Sequence, residues 1–121
     1  MANPFVHVEL TTSNLEKSKE FYGRLFDCRF ETVPAGPSST YTLIKVGEGT
    51  GGGMYQMDDA PPMWLSYVLV DDINKATQQA RSLGAQVLRE NQEVPGMGWL
   101  SIFIDPQGAM LALWQAKQRP G

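Results

Sequence analysis

FVHVELTTSNLEKSKEFYGRLF, residues 5–26, is the stretch of sequence that decides the fold. Its first residues alternate as a β-strand does, and side chains along a strand point to opposite faces in turn. His7 and Glu9 therefore share one face, while Val6 and Val8 share the other. This pattern predicts a sheet that a helix covers on its apolar side and that carries a pocket on its polar side.

The helix in this stretch begins after a run of capping residues. Ser13 and Asn14 are both N-cap residue types, and Glu16 follows Ser13 at the spacing of a capping box. A mostly apolar stripe at helical spacing predicts that one helix face packs against the sheet, with the three aromatic members in the core. The stripe comprises Leu15, Ser18, Phe21, Tyr22, Leu25 and Phe26.

The second half of the chain repeats this plan. A shift of 58 residues places Asn14 on Asp72 and Leu25 on Leu83 without a gap, and Gly84 then ends the second helix as a C′ residue. The predicted strands are residues 5–10, 29–33, 40–46 and 54–57 in the first half, and 64–70, 85–89, 99–104 and 109–115 in the second. We expect one α+β domain over residues 1–121, in which tandem β-α-β-β-β modules (4–57 and 64–116, linker 58–63) form a curved, partly open mixed sheet.

Composition narrows the class of protein. The chain has 121 residues, of which 42% are hydrophobic and 19% charged, as in an ordinary globular domain. The net charge of −3 and the lack of a basic run predict no nucleic-acid partner. No apolar run approaches the ~20 residues that span a bilayer, so we expect no membrane partner and no signal peptide. A single cysteine, Cys28, predicts a reduced, cytoplasmic protein.

Several short motifs occur in a fairly specific order. Both helices open with an [Asn/Asp]-[Leu/Ile]-x-Lys-[Ser/Ala] pattern, Phe21-Tyr22 follows in the first helix, and Asp105-Pro106-Gln107-Gly108 comes near the end. From about Phe5 to Gln115 the chain resembles the vicinal oxygen chelate superfamily, which includes glyoxalase I, extradiol dioxygenases and bleomycin and fosfomycin resistance proteins. Gly51-Gly52-Gly53-Met54 resembles a small branch of that superfamily.

The resemblance implies where a metal would be bound. Four strand positions converge on a divalent ion in the metal-using members, and they fall here on His7, Leu65, Ala112 and the segment 53–56, where Gln56 is a third donor. Only His7 is a clear ligand, whereas a catalytic metal site needs about three protein ligands. We therefore expect no metal and no other cofactor.

The polar side of the sheet is predicted to form an aromatic pocket across the two modules. Its expected lining is Phe5, His7, Glu9, Tyr55 (or Tyr41), Leu65, Tyr67, Trp99, Ser101, Phe103, Met110, Ala112 and Trp114. Clefts of this composition suit small planar or amphipathic ligands. His7 and Glu9 are also open to a structural interpretation, as a hydrogen-bonded histidine and an ion pair with Arg24 or Arg29.

Two main functions remain open. The favoured one is metal-independent binding of a hydrophobic or aromatic small molecule, as in bleomycin resistance proteins, because no nucleophile, metal set or cofactor motif is present. The alternative is a lyase, isomerase or dioxygenase-like enzyme in which His7 and Glu9 form an acid–base pair or a partial metal site. A third interpretation is a domain that functions only through its interface. The resemblance also implies a homodimer.

Overall fold

The computed structural model describes residues 2–35, 37 and 39–117. Its contacts divide into two compact units, an N-terminal unit, Val6–Leu65, and a C-terminal unit formed by the residues up to Phe5 together with those from Ser66 onward. The elements are β1 (Phe5–Thr12), α1 (Leu15–Leu25), β2 (Arg29–Pro34), β3 (Thr40–Lys45), β4 (Gly52–Gln56), β5 (Met63–Leu69), α2 (Ile73–Ser82), β6 (Gln86–Val94), β7 (Gly98–Ile104) and β8 (Met110–Ala116). The α+β class and the two β-α-β-β-β modules are as predicted.

The strands of the N-terminal unit follow the order β2-β3-β4-β1. β2 pairs with β3 and β3 with β4 in antiparallel fashion, whereas β4 and β1 are parallel. The hydroxyls of Thr12 and Ser18 lie 2.8 Å apart, so α1 covers the face of β1 that carries the even-numbered residues. His7 and Glu9 therefore lie on the face that no helix of this unit covers, which we call the helix-free face.

The C-terminal unit has the equivalent order β5-β8-β7-β6, with β5 parallel to β8 and the other two pairs antiparallel. The Thr77 and Ser101 hydroxyls lie 2.7 Å apart, and the side-chain oxygen of Gln115 accepts a 2.7 Å hydrogen bond from the Ile73 amide. Thr77 and Ser101 are both fully buried. These bonds fix α2 over one face of its sheet.

Both helices begin in the same way. Asn14 and Asp72 are the N-caps, and their side chains accept from the backbone N–H three residues ahead, at 3.0 and 3.1 Å. Each such bond satisfies an amide that the helix leaves without an internal partner. The expected capping box from Ser13 is wrong, because Asn14 occupies the cap. Gly84 has a φ of +105°, as its predicted role at the end of α2 requires.

Most strand boundaries lie within one residue of the predictions, but β1 ends two residues later, at Thr12, and β4 and β6 differ as well. β4 begins at Gly52, inside the glycine run. A Cβ at this position would overlap the carbonyl oxygen of Val8, so it is the glycine that lets the start of β4 lie this close to β1. β6 continues to Val94, beyond the predicted end at Arg89. Its register with β7 shifts around Asn91, whose φ is +50°. This irregularity interrupts the alternation of the side chains, so the sequence pattern does not show that the strand continues.

The predicted aromatic core of α1 is wrong. Phe21, Leu25 and Phe26 are 59, 56 and 58% exposed, and no residue of α1 is fully buried. The buried hydrophobic side chains lie on strands and at the start of α2: Leu10, Met54, Leu65, Tyr67, Ile73, Ala112 and Leu113. Among the described residues, no helix combines the length and the apolar character that crossing a membrane requires.

Candidate functional site

The helix-free face of the N-terminal unit carries a hydrogen-bonded cluster of an imidazole, a phenol and a carboxylate. The Tyr41 hydroxyl donates to Oε1 of Glu9 at 2.7 Å and lies 2.9 Å from Nε2 of His7. His7 and Glu9 come from β1, and Tyr41 comes from β3. We call these three residues the relay.

A glycine makes the relay geometrically feasible. β4 lies between β3 and β1, so the Tyr41 side chain has to pass over β4 to reach Glu9. Gly53 of β4 pairs with Glu9 on one side and with Leu43 on the other. A Cβ at Gly53 would overlap the ring and hydroxyl of Tyr41. The absence of a side chain at Gly53 therefore allows Tyr41 to cross the strand.

The hydrogen bonds assign protons within the relay. The Tyr41 hydroxyl uses its single proton in the bond to Oε1 of Glu9, so the phenol oxygen accepts from Nε2–H of His7. This tautomer leaves the basic lone pair of the imidazole on Nδ1. Burial lowers the pKa of His7 below its ordinary value, which favours the neutral form of the ring.

The C-terminal unit has a different, apolar surface on the side of its sheet away from α2. Tyr67 and Trp114 form an edge-to-face pair with ring centroids 6.5 Å apart, and Ala112 is the strand partner of Tyr67. Met110 lies on the same side, because it precedes Ala112 by two residues on β8. The alternation of β8 thus places Met110, Ala112 and Trp114 together on the face away from α2.

Three predicted lining residues of β7 lie on the other side, namely Trp99, Ser101 and Phe103. Ser101 turns its hydroxyl toward Thr77 of α2, so its alternate neighbours Trp99 and Phe103 share the helix-covered face of β7. The residue of β7 that pairs with Trp114 is Leu100. We therefore leave Trp99 and Phe103 out of the candidate site, although the sequence placed them in the pocket.

The remaining predicted residues are divided between exposed and buried positions. Tyr55 shares the helix-free face with Gly53, two residues earlier on β4, and is 44% exposed. Phe5 at the start of β1 is also exposed, whereas Leu65 on β5 is buried. Tyr41, which the sequence offers only as an alternative to Tyr55, is the centre of the relay. The triple glycine is the one sequence signal that points to it.

The donor set does not fit a divalent metal held at the four family positions. Leu65 and Ala112 are apolar and buried, and neither has a donor atom. Gln56 is turned to the opposite face, where its Oε1 accepts from the Leu15 amide of α1 at 3.2 Å. Across residues 2–35, 37 and 39–117, no three His, Cys, Asp or Glu side chains come together as a metal site would require.

Comparison with known proteins places these features in a family. The model of the family described as "Glyoxalase/Bleomycin resistance protein/Dioxygenase superfamily" matches residues 5–113. A Mycobacterium tuberculosis protein named "Putative glyoxylase CFP32" is 28% identical over 120 residues, which are 94% of this chain and 46% of that protein. The "Anthracycline biosynthesis protein DnrV" of Streptomyces peucetius is 31% identical over 67 residues, 55% of this chain and 23% of that protein.

The chain thus spans half the length or less of these curated relatives. Among solved structures, methylmalonyl-CoA epimerase from Mycobacterium tuberculosis superimposes with a TM-score of 0.69 at 15% identity. The superposition covers 94% of this chain and 88% of the epimerase chain. At this level of identity, the likeness concerns the fold.

Proposed function

We propose a function for this chain on the premise that it belongs to the glyoxalase/bleomycin resistance protein/dioxygenase superfamily. We propose that it binds a small hydrophobic or aromatic molecule without a metal ion. The binding surface is the helix-free face of the N-terminal unit, with the relay as its polar centre. This is a narrower statement than membership of the superfamily, and it rests on the side chains of this chain.

The relay is the observation that supports the proposal most strongly. Tyr41 joins His7 and Glu9 at 2.9 and 2.7 Å, at the place where the metal-using members of the family would begin a metal site. A ligand that approaches this face meets the imidazole of His7 and the carboxyl group of Glu9, which Tyr41 holds in position. Such groups orient a ligand, while its apolar area provides most of the affinity.

The surrounding residues favour a planar ligand. Tyr55 offers an exposed ring on the same face, beside Gly53 and the Tyr41 ring that lies over it. One relative is named for anthracycline biosynthesis, and anthracyclines are planar aromatic molecules. Aromatic rings gain roughly 0.5–1.5 kcal/mol from a well-oriented ring contact, beyond the burial of their area.

A panel of planar aromatic compounds tests the proposal. Binding is followed by quenching of the intrinsic fluorescence, in EDTA, for the wild type and for Glu9→Gln, His7→Gln and Tyr55→Ala. Loss of a hydrogen bond to the ligand costs about 0.5–1.5 kcal/mol, so each relay variant should bind roughly 2- to 12-fold more weakly. Glu16→Gln is the matched control, because this exposed carboxylate lies on α1, on the other side of the sheet, where it pairs with Lys19.

Binding that disappears in EDTA and returns with a divalent ion would contradict the metal-independent proposal. Equal affinities for the wild type and all three variants would contradict the assignment of the site, even if a ligand is found. Weaker binding by the relay variants alone would support the polar centre and remove Tyr55 from the binding surface.

A second candidate, an acid–base enzyme, is favoured by the protonation of the relay. Burial favours the neutral form of the His7 ring, and the bond from Nε2–H to Tyr41 leaves the basic lone pair on Nδ1. This atom could take the proton from a carbon next to a carbonyl, and the imidazolium formed would keep its Nε2–H bond to Tyr41 and, through it, to Glu9. Return of the proton to the same or to a neighbouring carbon completes an epimerisation or isomerisation.

Solvent exchange distinguishes the two candidates. A carbonyl substrate handled by the enzyme in D2O should gain deuterium at the acidic carbon, and His7→Gln should remove this exchange while leaving ligand binding within about tenfold. Binding without exchange for every carbonyl compound that shifts the fluorescence would leave the binding function alone.

A further inference from the structure

The helix-free face extends from the relay to β2, the edge strand of the N-terminal unit. Glu31 of β2 pairs with Leu43 of β3, and Leu43 pairs with Gly53 of β4. Gly53 in turn pairs with Glu9 of β1. Residues that pair in this way point to the same side of a sheet, so Glu31 shares the helix-free face with Glu9.

Two cations, Arg29 and Lys45, lie on this face beside Glu31. Arg29 precedes Glu31 by two residues on β2, so alternation turns it to the same side. Lys45 is the direct strand partner of Arg29 and forms an ion pair with Glu31 at 3.2 Å. We call Arg29 and Lys45 the cationic pair.

The cationic pair breaks a rule of strand pairing. Like charges directly opposite each other destabilise a pair of strands. Glu31 offsets the charge of Lys45, but in the part of the chain that the structure describes Arg29 takes part in no ion pair. Natural proteins break such local rules mainly at functional sites. The free charge of Arg29 therefore points to a ligand.

A cavity of about 750 Å³ is lined by both cations, and Asp27, Glu31 and Gly51 are also part of its lining. This volume is within the range of small-molecule sites. The two carboxylates balance the two cations in number, so the net charge of the cavity favours neither sign. The cations, however, are direct strand partners, so a single anion that sits between them can contact both.

The surface between the cationic pair and the relay is apolar. Leu43 lies between Lys45 and Tyr41 on β3, is half-buried, and points to the side that no helix of this unit covers. The Tyr41 ring continues this surface over Gly53. β3 and β1 are two strand spacings apart, so the backbone positions of Lys45 and His7 are separated by about 10 Å. A molecule of two or three fused rings can span this gap.

We propose that the ligand is an aromatic acid, whose carboxylate or phosphate group binds between Arg29 and Lys45 while its rings lie over Leu43 and the Tyr41 ring. This inference rests on the binding function proposed above and names the chemical class of the ligand. The guanidinium group matches the two oxygens of a carboxylate or a phosphate, and Lys45 adds a third contact. The opposite end of the ligand then meets the relay.

Four probes with the same ring system test the charge of the ligand. Naphthoate, naphthyl phosphate, naphthamide and naphthylmethylamine are titrated at neutral pH in EDTA by isothermal calorimetry. The two anions should bind at least about tenfold more tightly than the neutral amide, and the amine should bind most weakly. Raising the salt concentration should shrink the preference for the anions, because it screens exposed charges. The tighter of the two anions identifies the preferred oxyanion.

Variants locate the subsite through the anion preference, which is the ratio of the dissociation constants of naphthamide and naphthoate. Arg29→Gln and Lys45→Gln should each lower this ratio roughly 2- to 12-fold, as the loss of a hydrogen bond predicts. Glu31→Gln should raise it about 1.4- to 5-fold, because it removes a carboxylate that competes for Lys45. Arg24→Gln is the matched control, since this exposed cation lies on α1 and pairs with Glu20. Thermal melts check that every variant is folded.

The outcomes separate this inference from the binding function on which it rests. Equal affinities for naphthoate and naphthamide, or tighter binding of the amine, would overturn the anionic ligand and leave the binding function in place. An anion preference that the double variant of Arg29→Gln and Lys45→Gln retains would overturn this subsite. Failure of all four probes to bind would contradict the binding function itself, and the inference would fall with it.

Discussion

Gly53→Ala offers a direct way to disconnect the relay without changing any of its polar groups. The new methyl group would overlap the ring and hydroxyl of Tyr41. The Tyr41 ring is the end of a rotatable side chain, so it can move away from the methyl group. The cost is then the loss of its bonds to His7 and Glu9, which both lie on β1.

The magnitude follows from those two bonds. A neutral hydrogen bond contributes about 0.5–1.5 kcal/mol and one to a charged group about 1.5–3 kcal/mol, so both together contribute roughly 2–4.5 kcal/mol. Replacing glycine in a strand returns about 0.5–1 kcal/mol of backbone entropy. We therefore expect Gly53→Ala to lower the free energy of unfolding by roughly 1–4 kcal/mol. The Tm should fall by about 4–16 °C, at about 4 °C per kcal/mol for a domain of this size.

Urea unfolding of a double-mutant cycle isolates the cause. On the Tyr41→Ala background the overlapping ring is gone, so Gly53→Ala should no longer destabilise and should instead stabilise by up to about 1 kcal/mol. Tyr55→Phe, which removes a hydroxyl from the same face outside the relay, is the control and should have little effect. An equal loss from Gly53→Ala in the presence and absence of the Tyr41 ring would refute the reasoning.

Further predictions concern His7, Thr77 and the helix caps. Because burial lowers the pKa of His7, the unfolded chain binds a proton below about pH 6.5 more readily than the folded chain does, so the free energy of unfolding should fall as the pH drops below that value. Thermal melts from pH 7.5 to 5 should show this fall for the wild type and a flatter dependence for His7→Gln. An equal slope for both proteins would contradict a buried neutral imidazole. Thr77→Val leaves the buried Ser101 hydroxyl without its 2.7 Å partner and should cost about 1–3 kcal/mol in urea unfolding, whereas Ser82→Ala on the exposed side of α2 should cost far less. Asn14→Ala and Asp72→Ala should each lose about 0.5–2 kcal/mol, with Ser13→Ala as the neutral control, and a larger loss from Ser13→Ala would return the cap to that residue.

The repeat and its helix caps were predictable because they depend on local chemistry. Asn14 and Asp72 are polar residues directly before helical patterns, and their alignment over 58 residues gives the module order without any three-dimensional information. The placement of His7 and Glu9 on one face follows from the alternation of a single strand. These features require no knowledge of which strand neighbours which.

The features that were missed depend on contacts between distant segments. Gly52 and Gly53 look like part of a loop in the sequence, but they lie in a strand. They are glycines because β1 and the Tyr41 ring come too close to these positions for a side chain to fit. Trp99 and Phe103 share one face of β7, as the alternation predicted. The hydrogen bond between Ser101 and Thr77 shows that this is the face covered by α2, which the alternation of a single strand could not indicate. Helical spacing alone cannot show whether a ring such as Phe21 faces the sheet or the solvent.

The central claim is that this chain binds its ligand without a metal, and the response of the purified protein to metal ions tests it most directly. Elemental analysis is combined with thermal melts in Zn²⁺, Ni²⁺, Mn²⁺, Mg²⁺, Fe²⁺ and Co²⁺. A metal at 100 times its dissociation constant stabilises the folded state by about 2.7 kcal/mol, which is several degrees in Tm. We expect no stoichiometric metal and no such shift. One equivalent of bound metal, with a shift that His7→Gln removes, would contradict the account.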